Sequence, residues 1–151
     1  MVPLFCEKEI VMRFKAGTYY VGDLCYVISD RWQEYITASN CCVVNDVVLD
    51  DGSEIWGHHT AFGDGCFSDD LGNEYYVDAG MIGVISIDDI DESPNFLKGG
   101  RVLTFPEDFE PSYLDGTFSI GRSTRGFVSI STGSDFDEDL DGEIADYREA
   151  M

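Results

Sequence analysis

Short extended runs, cut apart by glycine and aspartate turns, follow one another along the chain and leave no room for a long helix. Sixteen glycines are spread over 151 residues. Between them lie β-branched and aromatic runs such as Thr18-Tyr19-Tyr20-Val21, Glu54-Ile55-Trp56, Cys66-Phe67-Ser68, Glu74-Tyr75-Tyr76-Val77 and Arg101 to Phe105, a composition that favours strands. Gly80 to Ile87 is the most apolar stretch and predicts a central strand. Gly116 to Ile120 and Gly126 to Ile130 alternate with a period of two and predict a hairpin. Asp50-Asp51-Gly52-Ser53 predicts the turn joining Val47-Val48-Leu49 to Glu54-Ile55-Trp56. Further extended runs are expected at Ile10 to Phe14, Leu24 to Ile28 and Cys41 to Val44, with a loop over Glu107 to Asp115.

One segment departs from this pattern. Trp32, Tyr35 and Ile36 share a helical face, so a short helix over Arg31 to Ala38 is expected to lie on a sheet. Ser29 or Asp30 would cap its start, and Asn40 would end it. Strands do not alternate with helices of about 10 to 15 residues, which argues against a parallel α/β fold. The expected class is mainly β (α+β), an antiparallel twisted sheet or small barrel with one short packed helix. Residues 1–134 read as a single β-rich domain and 135–151 as an acidic C-terminal tail. A chain of this size hides about two-thirds of its unfolded surface, enough for a core without disulfides.

Charge restricts function more than fold. Thirty acids against nine bases give a net charge of -21. Residues 41 to 97 hold thirteen acids and no lysine or arginine, while 135 to 151 hold eight acids and Arg148. Such a field disfavours direct contact with nucleic-acid backbone or anionic lipid. No segment reaches the roughly 18 consecutive apolar residues of a membrane span. The N-terminus lacks a basic region leading an apolar core, and five cysteines fit a reduced compartment, so a cytoplasmic location is expected.

Several residue groups carry chemistry on paper. Cys25 with His58 or His59, oriented by Asp23 or Asp64, has the residue types of a cysteine-dependent hydrolase or transferase. Against it, Cys25 sits in an apolar run, and adjacent histidines on a strand point to opposite faces. Cys41 and Cys42 are adjacent, with Cys66 far beyond, a spacing without the pattern of structural zinc. Gly63-Asp64-Gly65 reads as a tight turn, and no phosphate-binding glycine motif occurs. No cofactor is therefore expected. Asp137-Glu138-Asp139-Leu140-Asp141-Gly142 matches the start of a calcium loop, with Asp137, Asp139 and Asp141 as alternating ligands, yet Arg148 stands where the closing glutamate belongs. Weak calcium binding stays open as an alternative.

Closely spaced carboxylates can imitate the charge spacing of nucleic acid, where same-face strand residues match alternate phosphates. The first expectation is thus a non-enzymatic acidic module that binds a basic protein surface, as a DNA-mimicking inhibitor of a nucleic-acid-binding or host-defence protein. Asp46, Asp50, Asp51, Asp69, Asp70 and Glu74 are the expected contacts. The small-molecule ligand, if there is one, is left undefined.

Gly17-Thr18-Tyr19-Tyr20-Val21-Gly22-Asp23-Leu24-Cys25-Tyr26-Val27 and Thr60-Ala61-Phe62-Gly63-Asp64-Gly65 resemble segments of small uncharacterised proteins encoded by bacteriophages and bacteria. In that group the first segment has the form G-D-P-C-Y, and Leu24 stands here in place of the proline. The resemblance implies a phage origin, with the host cytoplasm as the location. It brings no residue roles with it.

Overall fold

A computed structural model describes residues 13–91, 97–121 and 124–132. Within them, ten strands form two antiparallel sheets of five. The first sheet comprises β1 (Gly17–Gly22), β2 (Asp46–Val48), β3 (Glu54–His59), β6 (Met81–Ser86) and β7 (Gly100–Phe105), in the order β2-β3-β6-β1-β7. The second comprises β4 (Gly65–Asp69), β5 (Glu74–Val77), β8 (Pro111–Leu114), β9 (Thr117–Ile120) and β10 (Val128–Ser131), in the order β5-β4-β10-β9-β8. The apolar stretch around Ile82 does form the centre of its sheet. The two runs near the C-terminus do pair, with Val128 opposite Ile120.

The sheets pack face to face. Alternation places Tyr19, Val21, Trp56, Ile82 and Val84 of the first against Phe67, Tyr75, Phe118, Ile120 and Ile130 of the second in one buried cluster. His58 of β3 stacks on Tyr113 of β8, so β8 overlies β3, and β4 with β5 falls toward β1 and β7. Two separate layers replace the small barrel offered as an alternative to an open sheet. Each sheet ends in two edge strands rather than closing on itself, and the cluster between the two layers is where their inward faces are buried.

The opposite face of the first sheet is covered as well. Tyr20, Ile55, Met81 and Ile85 meet Leu24, Val27, Ile28 and Tyr35 in a second buried cluster. Tyr35 belongs to α1 (Trp32–Ser39), whose Trp32 and Ile36 also pack there. Asn40 ends the helix with φ 53° and ψ 53°. The start differs from expectation: neither Ser29 nor Asp30 caps it, because both lie in a 3-10 turn (Ser29–Arg31) that runs into the helix.

Glycines set how closely these layers meet. Gly100, Gly22, Gly83 and Gly57 stand side by side across β7, β1, β6 and β3. A Cβ on Gly83 would lie 2.7 Å from Leu24 Cδ1, and one on Gly57 would overlap the Tyr35 hydroxyl. At Gly83 and Gly57 the covering layer fills the space a side chain would take, and at Gly22 and Gly100 a Cβ would overlap neighbouring backbone.

Three local expectations are corrected. Leu24–Tyr26 forms a 3-10 turn rather than an extended run. Cys41 and Cys42 adopt φ values of 58° and 70°, a left-handed turn rather than a strand. Part of the expected loop at Glu107 to Asp115 is strand β8, recruited by pairing with β9. Of the expected first strand, Phe14 bridges Phe109, and Ile10 to Met12 lie outside the described residues.

Candidate functional site

Asp23 is fully buried at the end of β1. Its Oδ1 accepts the Cys25 N–H at 3.0 Å, and its Oδ2 accepts the Asp78 and Ala79 N–H groups at 2.6 and 2.8 Å. Burial pushes its carboxyl above the ordinary range, while the bonds from Cys25, Ala79 and Asp78 oppose that rise. The group pins the turn after β1 to the turn before β6. It is occupied with backbone amides on both oxygens, which is a structural use.

Cys25 is half-buried beside this staple. Burial raises its thiol first, and the charges of Asp23, Asp78 and Asp64 raise it further. A nucleophile needs the opposite, a neighbourhood that favours thiolate. Tyr26 donates its hydroxyl to Asp78 in the same neighbourhood. Asp64 lies across the β5–β6 turn, its Oδ1 3.5 Å from where a Cβ on Gly80 would sit.

The histidines are engaged elsewhere. His58 points into the space between the sheets, where its ring stacks on Tyr113 with centroids 3.7 Å apart. Its Nδ1 is 2.8 Å from the His59 carbonyl oxygen. His59 faces the other way and is exposed, as alternation along β3 requires. Among the described residues no group of three or more histidine, cysteine or acidic side chains is placed to hold a metal. Asp137, Asp139 and Asp141 lie outside the described residues.

The six acids expected to share one surface divide into two sets. Asp46, Asp50 and Asp51 lie on β2 and the β2–β3 turn, at one edge of the first sheet. Asp69, Asp70 and Glu74 lie on the β4–β5 hairpin, at the opposite edge of the second. Asp69 is buried and closes its own turn, accepting from the Leu71 and Asn73 N–H groups and from the Tyr75 hydroxyl at 2.6 Å. Burial works to raise this carboxyl, and the bonds from Tyr75 and Asn73 win, holding it below its usual range. Asp70 accepts the Ser129 N–H at 3.1 Å.

A denser acidic group forms around Arg31. One guanidinium nitrogen reaches Asp51 at 2.9 Å and Ser53 at 3.0 Å, and the other reaches the Asp89 carbonyl at 2.6 Å and Asp91 at 3.3 Å. Glu34 of α1 accepts the Asp50 N–H at 2.6 Å. Burial raises the Asp89 carboxyl, Asp51 and Asp88 add to the rise, and Arg31 opposes it. Glu54 and Asp89 line a cavity of about 200 Å³ over Tyr19, together with Phe14, Gly52 and Ser86. Carboxylates from the helix, the β2–β3 turn, β3 and the 3-10 turn Ile87–Asp89 thus converge at one end of the first sheet.

Glu54, Asp88, Asp89, Asp91 and the organising Arg31 were not among the expected contacts. A signal existed, since Arg31 is the one lysine or arginine between positions 16 and 97. A lone cation in such a stretch is a natural collecting point for acids. No family model matches the chain, and no curated protein or solved structure is similar to it.

Proposed function

We propose that the chain is a non-enzymatic protein-binding module that engages a basic surface on another protein, of the kind nucleic-acid-binding proteins present. The convergence of Asp51, Asp89 and Asp91 on Arg31, with Asp88 beside Asp89 and Glu54 lining the same cavity as Asp89, carries this reading. Asp50, Glu54 and Asp88 are exposed, so their charge faces solvent and is available to a partner. Attraction of this type speeds encounter and weakens as salt screens it. Occupying a basic cleft in place of nucleic acid would make the module an inhibitor. Raised protonation of Cys25 weighs against the cysteine-dependent alternative.

Competition with duplex DNA tests the proposal. A DNA-binding domain loaded with labelled duplex is titrated with the protein at low and high salt. Displacement at low salt that disappears at high salt is expected, together with its loss when Asp50→Asn, Glu54→Gln and Asp88→Asn are combined. Undiminished displacement by that combined variant overturns the proposal.

A further inference from the structure

We infer that β2 is a docking edge at which an extended, basic segment of the partner adds to the first sheet as a further strand. This rests on the reading above and names the surface through which it acts. Two sheets of five strands have four edges, β2, β7, β5 and β8. Edges template unwanted pairing unless they are covered or blunted by proline, lysine or a bulge. β5 and β7 approach one another, and the Tyr76 N–H of β5 donates to the Lys98 carbonyl at 3.2 Å just before β7. β8 begins with Pro111, which has no N–H to offer.

β2 is blunted only by its three-residue length and by the acidic Asp46, which a basic partner strand would not find repulsive. Its residues Asp46-Val47-Val48 include no proline and no cation. Gly57 donates to the Asn45 carbonyl at 3.0 Å and Leu49 donates to the Ser53 carbonyl at 2.9 Å, so Asn45, Val47 and Leu49 face β3. Antiparallel geometry then turns the N–H and C=O of Val48 to the outside. The Val48 side chain is 60% exposed, and Val43 and Val44 are exposed along the approach to the same strand.

Charge selects the occupant. Glu54 is the cross-strand neighbour of Val48, and Asp50 and Asp51 follow at the turn. A second copy of this chain would bring those acids against their own counterparts in a molecule of charge -21. A segment alternating lysine or arginine with aliphatic residues would instead pair its backbone with the edge, its aliphatic groups with the valines and its cations with the acids.

Isotope-labelled full-length protein, titrated with short lysine peptides and followed by amide NMR shifts, separates the possibilities. An alternating lysine–valine peptide is expected to shift residues 44–49 and 54–56. N-methylation of alternate peptide nitrogens, or Val48→Pro in the protein, is expected to weaken binding by about tenfold or more, the loss of one to two strand hydrogen bonds. Equal binding by the methylated peptide, or shifts confined to Asp88–Asp91, overturns the docking edge and leaves the acidic reading standing. Failure of polylysine to bind at low salt overturns the acidic reading itself.

Discussion

The carboxylate of Asp23 accepts the Ala79 amide at 2.8 Å across 56 positions of sequence, tying the end of β1 to the turn that starts β6. Asp23→Asn removes one acceptor oxygen and turns an NH₂ group toward backbone donors. A loss of about 2–4 kcal/mol is expected, the cost of leaving buried donors unsatisfied, measured by urea unfolding. Because burial raises this carboxyl in the folded protein, the native state holds more protons than the unfolded one just above the ordinary carboxylate range. Its contribution therefore falls as pH rises through that window. Asp23→Asn should remove this component from the pH profile of stability.

Asp69 has the opposite sign. Its carboxyl is held below the usual range, so its contribution is complete above that range and fades as pH falls through the folded value. Asp69→Ala leaves the Tyr75 hydroxyl and the Asn73 amide without their acceptor, a loss of about 1–3 kcal/mol. Hydrogen exchange should speed in β4 and β5 while the first sheet stays protected.

Cys25 should resist alkylation at neutral pH, whereas exposed Cys41 reacts. Mass spectrometry after brief iodoacetamide treatment distinguishes the two. A Cys25 that reacts faster than a free thiol would return the cysteine-dependent reading to first place.

Asn40, Cys41 and Cys42 occupy three consecutive left-handed positions. Such a residue costs roughly 1–2 kcal/mol relative to a right-handed one, and glycine escapes most of that cost. Cys41→Gly, at an exposed site, should raise stability by about 0.5–1 kcal/mol after the entropy penalty of glycine. A shift of the denaturant midpoint to higher concentration checks it.

Arg31 is the cation that the acidic end depends on. Arg31→Gln leaves Asp51 and Asp91 facing each other's charge with Asp89 and Asp88 nearby. Stability should drop, and added salt should restore part of it by screening. Melting curves at low and high salt measure the difference, and an unchanged salt response would show that the cluster does not couple through charge.

What the sequence revealed follows from how local the determinants are. The β9–β10 pairing and the β2–β3 turn are written in neighbouring residues, and so is the buried face of α1 with its stop at Asn40. The 3-10 turn at Leu24 depends on the Asp23 carboxylate capturing the Cys25 amide, and β8 depends on pairing with β9, so neither follows from run composition. The acidic end is assembled through space from residues as far apart as Arg31 and Asp91. Counting acids along the chain instead joined Asp50 to Asp69, which the fold sends to different sheets.

The glycine row across β7, β1, β6 and β3 makes the central sheet borrow volume from the layer above it. Leu24 and Tyr35 supply the bulk that β6 and β3 omit at Gly83 and Gly57. Enlarging Gly57 requires Tyr35 to give up its hydroxyl and Met81 to shift, whereas a Cβ on Gly83 also meets the Trp56 carbonyl oxygen at 2.7 Å, which no side-chain exchange removes. Drift at Gly57 would have to proceed by exchange between layers, while backbone on the neighbouring strands or the turn before β7 holds Gly83, Gly22 and Gly100 to glycine.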